Sequence, residues 1–222
     1  MIAESFDAIT ADARVHLEEM YGRTSALLVA QIHLGRWPSD SMQRICGIVL
    51  TNALKSLTAS FALLRTGWRL QPQACLRSGM EATSVVLHLI QRPSDLEPFR
   101  QDRLDTAKTV NSAKAAFPPF GHLYGILSKE FVHVGKPFRH IQKAGIYTES
   151  EWEMWQCLSG IASLSFLAYM AAEALFMEEI AEPLCWSKAG EGRLEEHWSP
   201  VIQAWRRQFV RIYGPHFPDA KL

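Results

Sequence analysis

Residues 157–176 read CLSGIASLSFLAYMAAEALF, a stretch whose only formal charge is Glu173. A helix of about 20 apolar residues is long enough to cross the hydrocarbon core of a bilayer. The composition argues for a different environment. Ser159, Gly160, Ser163, Ser165 and several alanines dilute the stretch, and it runs on into the acidic MEEIAE with no Lys or Arg flank. Membrane spans carry basic residues on one side, whereas a helix at the centre of a soluble bundle is apolar on every face. The stretch therefore reads as the middle of a helix of about 149–180 that is buried all round. Thr148 and Glu151, in the order T-E-S-E, form a capping box at its start.

Helical periodicity dominates the rest of the chain, with no convincing alternating strand pattern. One long helix is expected over 4–34, ending near Gly35 and the turn RWPSD. Ser39 or Asp40 caps a second, 41–66, which Gly67 closes. A third spans 71–91 and tolerates Pro72 only because it lies in the first turn. RPSDLEPF breaks the chain, and Ser94 caps a charged helix of about 95–114 with a solvated face. Another runs from PPF at 118–120 to Gly135, and the last covers about 195–213. Seven helices with mostly short connections make an all-α, single-domain bundle of residues 1–222, with its core in 41–180. The least polar helices, 41–66, 71–91 and 149–180, are its expected centre.

Apolar residues make up 48% of the 222 and charged residues 21%, a composition that excludes a disordered chain. Lys plus Arg equals Asp plus Glu at 23 each, so nucleic-acid binding must rest on a local patch, not on overall charge. Cys46, Cys75, Cys157 and Cys185 show no paired spacing and sit in apolar contexts. They read as free thiols in a reducing compartment, and with no secretory h-region at the N-terminus the expectation is a cytoplasmic protein that does not enter the membrane. P-loop, GxGxxG, GxSxG, HExxH and EF-hand patterns are absent, so neither a cofactor nor a metal is expected.

Polar residues stand out in two helices. In LRSGMEATSVVLHL, 76–89, Arg77, Glu81, Ser84 and His88 fall at i, i+4, i+7 and i+11, one continuous stripe. An exposed intrahelical pair accounts for Arg77 and Glu81, although Arg before Glu is the weaker order. In a central helix, the same stripe is buried and must satisfy itself or line a cavity. In LYGILSKEFVHVG, 123–135, Leu123, Leu127, Phe131 and Val134 make the apolar face, with Tyr124 and Ser128 on one flank and Glu130 and His133 on the other. The helix dipole favours a histidine in the last turn, which explains His133 alone but not the whole cluster. Glu130 and His133 also have the spacing of a di-iron ligand pair, but no second Glu-x-x-His exists, which excludes that site. Lys129, Lys136, Arg139 and Lys143, with His140 and against the single acid Glu130, form the clearest basic patch of the neutral chain.

The segment LLRTGWRLQPQACLRSGMEATSVVLHL, with Arg77, Ser78 and Glu81, followed by LYGILSKEFVHVG, with Leu127, Ser128 and His133, resembles a group of all-helical bacterial proteins of the HEPN class. The likeness covers about residues 45–135. It implies a dimeric helical fold and membership of a class that includes ribonuclease toxins and defence-system components. Catalytic members use Arg-x4–6-His, with the Arg holding phosphate and the His assisting attack by a 2′-hydroxyl. RIYGPH, Arg211 to His216, has that literal spacing, but Gly214 and Pro215 interrupt it. The resemblance directs attention to His133, Arg77 and Glu81 as catalytic residues. His88, Tyr124, Ser128, Glu130, Lys136 and Arg139 are then expected to bind an RNA or nucleotide. The alternative is a non-catalytic bundle that acts by homodimerising or by binding a protein partner.

Overall fold

The computed structural model of the chain describes residues 1–33, 37–116, 120–121, 124–125, 144–190 and 193–217. Among them are eight α-helices: α1 (Ile2–Ile9), α2 (Ala11–His33), α3 (Met42–Arg65), α4 (Gln71–Gln91), α5 (Leu96–Arg100), α6 (Thr106–Ala116), α7 (Trp152–Leu175) and α8 (Pro200–Tyr213). The architecture is all-α apart from one small hairpin.

The apolar stretch that opened the sequence lies in α7, the axis of the bundle. α2, α3, α4 and α8 all pack on it. α3 and α7 are both long and apolar enough to cross a membrane, yet 83% of the most apolar part of α7 is buried inside the protein, against 39% for α3. Glu173, its internal charge, is fully buried. Its carboxylate accepts backbone N–H bonds from Leu184 (2.9 Å), Cys185 (2.7 Å) and Trp186 (2.9 Å). A buried carboxylate needs such donors, and these three tie the chain after α7 back onto the helix.

α3 and α4 form the tightest pair. A Cβ at Gly79 would lie 3.2 Å from the Ala53 carbonyl and 3.3 Å from Leu57, so glycine permits the close approach. Between the two helices, Gly67 adopts φ +91°, and the N–H of Trp68 returns to the Leu63 carbonyl at 3.1 Å. This left-handed turn ends α3 where the sequence places its stop. Buried apolar side chains form a cluster drawn from α1, α2, α3, α4, α6, α7 and α8, with Leu96 and Phe99 of α5 packed against it.

Several boundaries differ from expectation. Thr10 divides the N-terminal helix in two, its hydroxyl donating to the Phe6 carbonyl at 2.7 Å. Ser41, not Ser39 or Asp40, caps α3, accepting from the Arg44 N–H. The expected 95–114 helix is two: Asp102 takes φ +52°, the Arg103 N–H closes on the Pro98 carbonyl, and Asp105 restarts the helix by accepting from the Ala107 N–H at 2.9 Å. α7 begins only at Trp152, with Glu151 as its N-cap residue; the Glu151 carboxylate accepts the Thr148 N–H at 3.4 Å and pairs with Arg69. The region before the last helix holds an antiparallel hairpin, Trp186–Ala189 with Arg193–Glu196, so α8 starts at Pro200, capped by Ser199. In the hairpin Trp186 pairs with Glu196, and the Trp186 indole donates to the Met170 carbonyl of α7 at 2.9 Å.

Candidate functional site

The polar stripe of α4 faces α6 and Tyr124, and its residues divide into two sets. At the N-terminal end, Arg77 donates from Nε to Glu81 Oε1 at 2.8 Å and from Nη2 to the Tyr124 hydroxyl at 3.3 Å. The hydroxyl in turn donates to Glu81 Oε1 at 3.4 Å, which closes a three-membered ring of contacts. The Arg77 guanidinium also lies over the Tyr124 ring, 5.3 Å from its centroid, and Lys114 Nζ of α6 lies 5.2 Å from the same centroid. Two cations thus approach one aromatic ring, and Arg77 alone of the two is paired with the Glu81 carboxylate. Arg77 Nη1 is buried and has no hydrogen-bond partner among the described residues, while the Glu81 side chain remains about a third exposed.

At the C-terminal end the stripe serves the helix interface. The Ser84 hydroxyl contacts the Thr109 hydroxyl at 3.0 Å. His88 is fully buried, with Nδ1 at 2.7 Å from the Ser112 hydroxyl and Nε2 at 2.7 Å from Asp95 Oδ2. Lys108 Nζ reaches the same carboxylate oxygen at 2.7 Å. Lys108, followed by His88, holds the Asp95 carboxyl below its usual range. The expected ligand-binding role of His88 has no free atom to work through, because both ring nitrogens are engaged and no edge meets solvent. Ser112, His88 and Asp95 stand in the hydrogen-bonded order of a hydrolase triad, but the imidazole at its centre is fully buried and meets no solvent.

The structure brings Arg77, Glu81 and Tyr124 together. Ser128, Glu130, His133, Lys136 and Arg139 lie outside the described residues. Lys114 was missed, since an isolated lysine on a short helix carries no sequence signal. Arg211 is exposed on α8, whereas His216 stacks on Trp155 with ring centroids 3.7 Å apart. Burial against that indole lowers the His216 pKa. Burial also pushes the Cys46 and Cys157 thiols up to about 12, a protonated state unsuited to metal binding or nucleophilic attack.

Comparison with protein-family models, curated proteins and solved structures yields no match for this chain. The Arg77 cluster must then be interpreted from its own chemistry. A guanidinium with a spare N–H pair and an ammonium, each beside one aromatic ring, suit an anion joined to a planar group. Phosphate next to a nucleobase has that character.

Proposed function

We propose that the chain is an HEPN-like helical protein of the cytoplasm that handles RNA or a nucleotide within a bacterial defence or toxin-type system. The observation that carries this reading is the uncommitted Nη1 of Arg77, set beside Lys114 on the Tyr124 ring. A buried donor without an acceptor costs about 1–3 kcal/mol, and a phosphate oxygen would relieve it. In this proposal Arg77 holds phosphate, Glu81 fixes the guanidinium plane through Nε, and Tyr124 stacks against the base. The resemblance supplies the chemistry: His133 is the acid or base, Ser128 and Glu130 contact the ligand, and Lys136 and Arg139 guide the strand. Homodimerisation is part of the same proposal.

The test is incubation of the purified chain with end-labelled RNA, alongside Arg77→Ala and His133→Ala. The proposal expects fragments from wild type and a loss of at least tenfold in both variants. Equal cleavage by all three, or none by any, contradicts catalysis at this site.

A second reading, a non-catalytic bundle acting through self-association or a protein partner, draws on α2. Val15 and Val29 are 71% and 56% exposed, and their spacing places them within about 40° of each other around the helix. Because both readings include self-association, sedimentation equilibrium of wild type and Val15→Glu/Val29→Glu separates them only when read beside the RNA assay. Under the second, the double variant loses association; under the first, it keeps its RNA activity.

A further inference from the structure

A second feature lies apart from the Arg77 cluster. A pocket of about 220 Å³ opens between α2, α3 and α7, and no residue of α4 lines it. Leu17, Leu57 and Ile161 are its most buried apolar residues, at 6%, 2% and 4% exposure, and Phe61 extends the apolar lining. Ser165 of α7 is the one fully polar group set among these buried residues, itself 1% exposed.

The Ser165 hydroxyl has no hydrogen-bond partner among the described residues. That is unusual for a hydroxyl on a helix of this bundle. Thr24, Thr51, Thr58 and Thr83 each donate to the carbonyl four residues earlier, at 2.7 to 3.0 Å. Ser165 makes no such bond, and lines the pocket instead. A buried hydroxyl is normally paired with protein, water or ligand. A cavity of about 150 Å³ already admits a benzene-sized molecule, so this one takes a ring with a substituent. Arg14, the cation of the lining, is paired with Asp7 at 3.2 Å and does not call for an anionic ligand.

We propose that this pocket binds a small neutral aromatic molecule bearing one hydroxyl, the ring against Leu17, Leu57 and Ile161 and the hydroxyl hydrogen-bonded to Ser165 Oγ. This inference is independent of the RNA reading and stands or falls without it.

The test is a ¹⁹F NMR titration of the full chain with 4-fluorophenol and, as the probe lacking the hydroxyl, fluorobenzene. Wild type binds both. Ser165→Ala weakens 4-fluorophenol about tenfold and leaves fluorobenzene within about twofold, because only the first loses a hydrogen bond. Thr58→Trp, a substitution at an exposed edge of the lining that leaves the core intact, blocks both probes. Absence of 4-fluorophenol binding to wild type, equal weakening of the two probes by Ser165→Ala, or binding untouched by Thr58→Trp would overturn the proposal.

Discussion

The guanidinium of Arg77 lies over the ring of Tyr124 and also donates to its hydroxyl at 3.3 Å, so one aromatic side chain fixes both the height and the direction of the cation. Lys114 approaches the same ring at 5.2 Å. Cation–π contacts of this kind contribute about 0.5–1 kcal/mol each at exposed sites. Tyr124→Phe keeps the ring and removes the hydroxyl; labelled RNA is expected to bind it only two- to threefold more weakly, on the order of half a kcal/mol. Tyr124→Ala removes the platform and is expected to cost about tenfold. Fluorescence anisotropy reads both, and equal effects of the two substitutions would discard the ring as the organising element.

His88 makes a prediction of the opposite kind. Its ring joins Ser112 of α6 to Asp95, so His88→Ala leaves a cavity, takes the imidazole from the Ser112 hydroxyl and leaves Asp95 to Lys108 alone. A loss of roughly 2–4 kcal/mol in urea denaturation is expected, from the cavity and the lost hydrogen bonds together. Among molecules that remain folded, RNA affinity should stay within about twofold of wild type. A stable His88→Ala protein with lost RNA binding would return His88 to the site.

Glu173 is the clearest stability determinant outside either site. Its carboxylate accepts three backbone N–H bonds while fully buried. Glu173→Gln replaces one oxygen with an NH₂ that faces donors, and is expected to destabilise by roughly 2–4 kcal/mol. Hydrogen exchange should show faster exchange at Leu184, Cys185 and Trp186 before the rest of the chain is affected. Unchanged protection at those three amides would contradict the assignment.

The pH dependence of stability follows from His16. Its ring is buried, stacks on Trp205 at 4.5 Å and engages the Trp205 carbonyl through Nε2 at 3.1 Å, while Nδ1 has no partner among the described residues. Burial lowers its pKa below the ordinary 6.5. The unfolded chain therefore takes up a proton at a pH where the folded chain stays neutral. Stability from this group is complete above about 6.5 and is lost as pH falls through that value towards the lower folded pKa. Urea midpoints between pH 7.5 and 5.5 should fall more steeply for wild type than for His16→Phe, which retains the stack and cannot titrate. Parallel curves would remove His16 as the cause.

How far the sequence carried the fold depended on which forces were local. α4 matched its expected bounds because Pro72 and the break at RPSD act on their own neighbours. α7 was recognisable as a buried helix because its apolar faces leave no side for water, but the Arg69 partner of its N-cap residue Glu151 was not, because that ion pair is a long-range contact. The hairpin was invisible for the same reason: its strands are short and polar, and Glu173 anchors their start from another element. Periodicity placed Arg77, Glu81, Ser84 and His88 on one stripe correctly. It offered no way to tell the partly exposed Arg77 end from the buried His88, since that division is made by α6 and the Asp95 turn.

The central claim is that the partly exposed Arg77 side chain, whose buried Nη1 has no partner among the described residues, holds a phosphate. The most direct measurement is an anisotropy titration of fluorescein-labelled single-stranded RNA against wild type, Arg77→Ala and Arg77→Lys, each shown to be folded by its thermal transition. Binding by wild type, a loss of at least tenfold in Arg77→Ala and only partial recovery in Arg77→Lys are predicted, because lysine lacks the fork that meets Glu81, Tyr124 and phosphate together. Indistinguishable isotherms for the three proteins would contradict it.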